Sequence, residues 1–206
     1  MPLRQIASAL GVSVGSVSSW TRDIAISPAQ QERNLREAGQ ARGRAWRERN
    51  RERRLSYQDE GRIRARGRDP LHLAGCMLYW AEGAKSRYQV KFTNSDLEMV
   101  RVFCDFLRAR FGVKPERLSV RLNVYTNNGY TLEEIETRWL EGLDLPKSCL
   151  RGHTLDYLPS SSSGKKRSLP YGVCTVAVRR SINIVQHIYG AIQEYGGFEE
   201  PGWLDC

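Results

Sequence analysis

The sequence predicts an α+β protein: two short helices, a long basic helical linker, and a mixed α/β domain with an antiparallel sheet. Three observations predict it. Apolar residues recur at helical spacing on both sides of Gly11. Residues 29–70 are rich in Arg, Ala, Glu and Gln, with only Leu35, Trp46, Leu55, Tyr57 and Ile63 as large apolar side chains. From Leu71 onward, helical periodicity is interleaved with period-two segments, and most Leu, Val, Ile and aromatic residues lie there. The boundaries read as 1–28, 29–70, 71–194 and a tail over 195–206.

Charge bounds the partners. Among 206 residues, 32 Lys and Arg face 23 Asp and Glu, a net charge of +9. Such an excess attracts polyanions by counterion release, which leaves nucleic acid and anionic membrane as candidates. No run approaches 18 apolar residues, so a membrane span is not expected. The first residues lack the apolar core of a signal peptide. The five cysteines are scattered without a Cys-x-x-Cys, so neither a disulfide framework nor a zinc site is indicated. Cys76, Cys104 and Cys174 sit in apolar runs and read as small buried hydrophobes. A reducing cytoplasm fits.

In the first zone, Ile6, Ala7 and Leu10 share a helix face, Gly11 ends the helix, and Ser13 is placed to cap the next one. That second helix runs from Val14 to about Asp23. Val12, Val17, Trp20 and Ile24 are expected to close over Ile6 and Leu10. The pattern Ile6-Ala7, Leu10-Gly11-Val12-Ser13, Val17, Trp20 resembles the helix-turn-helix of resolvases, small terminase subunits and many repressors. The resemblance implies that the second helix enters the major groove of double-stranded DNA and presents Gly15, Ser16, Ser19 and Arg22, beside the capping Ser13. It places Arg4 and Gln5 where the first helix meets the backbone. The chain begins almost inside the motif. Either the second zone supplies the missing support, or the start lies upstream. The competing reading is a helical hairpin used only for packing.

The second zone has high helix propensity over its first two thirds. Its arginines, Arg47 and Arg51 among them, read either as a solvated linker or as a sequence-blind clamp on phosphates. Apolar positions are too sparse for a coiled-coil seam.

In the third zone, Leu71 to Gly83 reads as a buried helix ending in Glu82 and a glycine cap. A carboxylate there opposes the helix dipole, a mismatch that suggests a functional demand. Next come a strand over 89–93, Asn94-Ser95-Asp96 capping a helix from Leu97 to Phe111, and a strand from Leu118 to Tyr125. A helix from Thr131 to Leu143 has Glu134 placed for a capping box. A strand from Val173 to Arg180 and a closing helix capped by Ser181 end the domain. Ser160 to Arg167 reads as a flexible basic loop. The tail is expected to fray.

Gly75 to Gly83 resembles the LAGLIDADG helix of homing endonucleases and related transcription factors: Leu78 matches its central Leu, and Ala81-Glu82-Gly83 its closing residues. Met77 and Trp80 stand where that family has Gly and an acid. The resemblance implies a sheet lying along the major groove, with Lys91, Arg121, Asn123, Arg179 and Arg180 facing DNA. It also makes Glu82 a catalytic metal ligand holding Mg2+ in a homodimer. The competing reading of Glu82 is a solvated helix-end acid beside Lys85. His72, His153 and His187 are scattered and read as surface or core.

Two functions follow as expectations. One is a sequence-specific, regulatory DNA-binding protein, without cofactor, associated with a bacterial or phage nucleoid. The other is a homing-type endonuclease using Glu82 and Mg2+. RNA binding has no aromatic platform motif behind it.

Overall fold

The computed structural model describes residues 3–24, 27–86, 88–125, 129–156 and 169–204. The chain is mixed α+β and divides into two compact units, Met1–Arg49 and Asn50–Cys206.

In the smaller unit, α1 spans Leu3–Leu10 and α2 Val14–Trp20. Gly11 adopts φ +65, a left-handed conformation that suits glycine. There the Gly11 N–H donates to Ser8 O and the Val12 N–H to Ala7 O, the two bonds of a Schellman ending. Ser13 caps α2: its Oγ accepts from the Ser16 N–H at 3.0 Å. The pair buries only Ala7 and Val17, with Ile6 and Val12 half-buried.

Here the structure corrects the expectation. Trp20, Ile24 and Leu10 do not close over the pair; they are 63%, 64% and 60% exposed. Helices of eight and seven residues can cover only their crossing point. The second helix also ends at Trp20 rather than at about Asp23; Thr21 is its C-cap, with its hydroxyl donating to Val17 O.

The helix α3 is one 39-residue element, Pro28–Arg66. Ser27 Oγ accepts from the Gln30 N–H, and Pro28 supplies a preset first turn. Its beginning is solvated. From Asn50 it belongs to the larger unit, so the expected linker over 29–70 ends early. Arg54, Gln58, Gly61 and Ala65, one stripe at helical spacing, are buried.

The larger unit is built on four strands: β1 Lys91–Asn94, β2 Leu118–Tyr125, β3 Leu150–Asp156 and β4 Val173–Val178. Their order is β1-β4-β2-β3. The pairs β1/β4 and β4/β2 are antiparallel, but β2/β3 is parallel, so the sheet is mixed rather than antiparallel. The cause is the helix α6, Leu132–Gly142, which carries the chain from the end of β2 back to the start of β3. One strand face, with Phe92, Leu118, Val120, Leu122, Val124, Cys174, Val176 and Val178, is buried. Those residues share one core with Tyr79 and Cys76 of α4 (Pro70–Glu82), Phe103 and Phe106 of α5 (Leu97–Phe111), Trp139 of α6, and Ile184 and Ile188 of α7 (Ile182–Gly196).

The caps explain where these helices start. Asp69 accepts from the Leu71 and His72 N–H groups and also binds Arg110 at 2.7 Å. Asp96 accepts from Glu98 and Met99 N–H. Thr131 and Glu134 form the expected capping box. Ser181 precedes α7 but does not cap it; its hydroxyl donates to Val178 O and accepts from the Val90 N–H. The described part of the tail is packed onto the larger unit rather than frayed. Trp203 stacks on Tyr189 at 4.5 Å, and Leu204 O accepts from Arg54.

Candidate nucleic-acid interface

Alternation along the strands sends every second side chain to the face opposite the core. On β1 these are Lys91 and Thr93, both exposed; on β2, Ser119, Arg121 and Asn123; on β4, Thr175 and Ala177. The register aligns them across the sheet. Lys91 stands opposite Ala177, which stands opposite Ser119. Thr93 stands opposite Thr175, which stands opposite Arg121. Thr93 and Thr175 join their hydroxyls at 2.9 Å. Asn123 stands opposite Val173 on one side and Thr154 on the other.

Thr154 reaches this face through an irregularity. Two β3 residues, Arg151 and Gly152, are accommodated between the pairs Val120/Leu150 and Leu122/His153. Gly152 takes φ +132 there. The result is a polar concavity floored by the strands, with Lys91, Arg121, Asn123, Thr154 and Thr175 among its lining.

The face continues one step beyond the strand ends. The Arg179 N–H donates to Arg117 O, and the Arg117 guanidinium donates to Arg179 O and Arg180 O. The Arg179 guanidinium donates to Glu116 O. Arg180 has φ 52, so the turn is held in a left-handed kink by these bonds. Two cations therefore stand at the end of the face. Of the nominated strand residues, Lys91, Arg121 and Asn123 come together, Arg179 borders them, and Arg180 lies in the adjoining turn. Arg117 was not nominated; stepping back by two from Ser119 and Arg121 would have found it.

One atom on this face stands out chemically. Asn123 Oδ1 is buried and has no hydrogen-bond partner among the described residues. Buried acceptors are nearly always satisfied, and an unsatisfied one costs on the order of 1–3 kcal/mol.

Compared with protein-family models, curated proteins and solved structures, this chain matches none. The candidate site therefore rests on its own residues.

The residues nominated on the small unit divide. Arg4, Ser13, Gly15, Ser19 and Arg22 are exposed. Ser16 is half-buried and shares a 2.9 Å hydrogen bond with the capping Ser13. Gln5 lines a cleft with Gln30, Arg33, Asn34 and Arg44 of α3. Arg47 and Arg51 are exposed one turn apart on α3.

Glu82, the last residue of α4, is exposed and forms no ion pair among the described residues. The neighbouring Gly83 bridges to Phe92, so the acid sits beside the outer edge of β1. Gly83 has no room for a side chain: a Cβ would lie 2.4 Å from Tyr79 O. Lys85 does not pair with Glu82; its ammonium donates to Trp80 O. Gly75 is pressed against the Phe106 ring of α5, and Trp80 stacks on Phe198. Among the described residues no three His, Cys, Asp or Glu side chains gather as a metal-binding group. One carboxylate does not suit a magnesium centre on a single chain.

Away from this face lies a partly buried polar chain. His72 Nδ1 is 2.8 Å from the Tyr195 hydroxyl, and His72 Nε2 is 3.0 Å from His187 Nε2. Both histidines titrate at about 4, held down chiefly by burial. His72 is fully buried in the core and His187 half-buried beside it.

Proposed function

We propose that this chain is a double-stranded DNA-binding protein of the sequence-specific, regulatory kind. The observation that carries the reading is the polar sheet face, where Lys91, Arg121 and Asn123 converge with Arg117 and Arg179 at its end. Cations on a continuous face neutralise phosphates, while amide and hydroxyl groups between them suit base edges. The net charge of +9 agrees with a polyanionic partner.

The small unit supports a second contact. Ser13-capped α2 exposes Gly15 and Ser19, the side that a helix-turn-helix turns toward the major groove, and Arg22 is exposed in the turn that follows it. Arg47 and Arg51 would add phosphate contacts without sequence preference. A regulator of this kind works without a cofactor and sits on a bacterial or phage nucleoid. No helix among the described residues is long and apolar enough to cross a membrane.

Titration of a labelled duplex, read by fluorescence anisotropy, tests this reading. The native chain binds, and Arg22→Ala weakens binding to a selected site by about 1–3 kcal/mol. Absence of duplex binding at low salt contradicts the reading.

The second reading is a LAGLIDADG-like endonuclease, favoured by the exposed Glu82 at the end of an apolar helix beside the sheet edge. It requires a homodimer, because one chain brings one such acid, and Mg2+ held between the two copies. Nicking of supercoiled plasmid in magnesium by the native chain, lost in Glu82→Gln, would establish it. Intact plasmid with tight duplex binding leaves the regulator.

A further inference from the structure

The solvated beginning of α3 carries a face that complements itself. Glu32, Leu35, Gly39, Arg42, Trp46 and Arg49 recur at spacings of three and four, so they share one side of the helix, and all are exposed. Leu35 is 65% exposed and Trp46 63%. The cleft shared with Gln5 of α1 lies on the opposite side of α3, along Arg33, Glu37, Gln40 and Arg44. We infer that the Leu35–Trp46 face binds the same face of a second copy of this chain, with the two helices antiparallel and crossing between Gln40 and Ala41.

The occupant follows from complementarity. A two-fold axis at that crossing sets residues against each other in reciprocal layers. Leu35 meets Trp46 of the second copy, Glu32 meets its Arg49, and Gly39 meets its Arg42. The large apolar side chains of the face thus cover one another, and the acid meets a cation. A parallel pair would set Glu32 on Glu32 and Arg42 on Arg42, and such like-charge contacts disfavour it. Nucleic acid is a poor occupant, because Leu35 offers phosphates nothing and Glu32 repels them. The layers are too few and too polar for a sustained heptad seam, so the contact is one crossing.

Gly39 agrees with this arrangement. A glycine inside a helix weakens it. Farther along α3, Gly61 is accounted for by the backbone of α7 pressed against it. At Gly39 a Cβ would meet no described atom within 4 Å. In the pair that space takes the Arg42 stem of the second copy.

The pairing stands without the DNA-binding reading; its consequence for the target rests on that reading. With the crossing between Gln40 and Ala41, the two Pro28 ends stand roughly 38 Å apart at about 1.5 Å per residue. That is close to the spacing of half-sites one duplex turn apart, about 34–36 Å. Each α2 precedes one of these ends, so the pair suits an inverted repeat with half-site centres about 10 base pairs apart.

Sedimentation of the full-length chain without nucleic acid, across micromolar concentrations, tests the pairing. The native chain forms a dimer. Leu35→Gln removes an apolar side chain from two layers and weakens the dimer by about tenfold or more, with native helicity by circular dichroism because Leu35 is exposed. Glu32→Arg weakens it as well, and adding Arg49→Glu to that variant restores it. A native chain that stays monomeric overturns the inference. So does a dimer indifferent to Leu35→Gln, which would pair through another face. Failure of Arg49→Glu to rescue Glu32→Arg overturns the antiparallel arrangement. Selection from randomised duplexes by the native chain then reads the consequence: inverted repeats at this spacing support it, and single unrepeated sites contradict it. Absence of binding to any duplex removes the DNA-binding reading and leaves the pairing result standing.

Discussion

Gly61 and Gly190 show how much of this fold hangs on single side chains. A Cβ on Gly61 would lie 2.0 Å from His187 O, and one on Gly190 would lie 2.0 Å from Gln58 O. The two helices α3 and α7 therefore touch backbone to backbone. Around that contact Gln58 donates to Gln186, Gln193 donates to Gln58, and Arg62 donates to Gln193. Gly61→Ala forces the backbones apart and lowers stability by about 1–3 kcal/mol in urea unfolding. The His72–His187 pair gives a second prediction. Both histidines are neutral in the fold, with pKa lowered to about 4, while the unfolded chain protonates near 6.5. Stability is thus complete above pH 6.5 and falls as pH drops from 6.5 toward 4. A flat melting temperature across that window would contradict their burial. Neither feature was legible in the sequence. The glycines lie in helices without a turn to flag them, and the histidines are 115 residues apart.

Among elements, those with a strong local signal were readable. The strand Leu118–Tyr125 alternates without interruption, and the helix Leu97–Phe111 is bounded by Asp96 and Gly112, so both bounds follow from the residues. The segment β3 was missed. Leu150-Arg151-Gly152-His153-Thr154-Leu155-Asp156 carries an irregularity at Gly152 that breaks the period, and its partner lies across a helix. Missing it also concealed the parallel pair. The buried half of α3 escaped because Arg54, Gln58, Gly61 and Ala65 form its stripe, which contains no large apolar side chain to mark a helical period. Trp20 misled in the opposite sense: its spacing fits a closed helical pair, yet it is exposed. The cap of α2 was legible and gives a prediction. Ser13→Ala removes the acceptor for the Ser16 N–H and destabilises α2 by about 1 kcal/mol, seen as faster amide exchange there, while Ser13→Gly costs a few tenths.

For the whole molecule, the larger unit contains its own core from Ala65 to Ile192. A chain beginning at Asn50 keeps every buried side chain of that core and of the α3–α7 contact. It melts within a few degrees of the full-length protein; a fragment without a cooperative transition would refute this division. The polar sheet face belongs to this unit, so the fragment keeps part of the duplex affinity. The most direct measurement is the salt dependence of duplex binding by the full-length chain and by Lys91→Ala/Arg121→Ala. Each lost phosphate contact lowers the slope of log affinity against log salt by about 0.9. The sheet-face reading predicts a slope shallower by nearly 2 in the double variant, with an unchanged melting temperature. An identical slope and affinity would show that the nucleic acid does not touch this face.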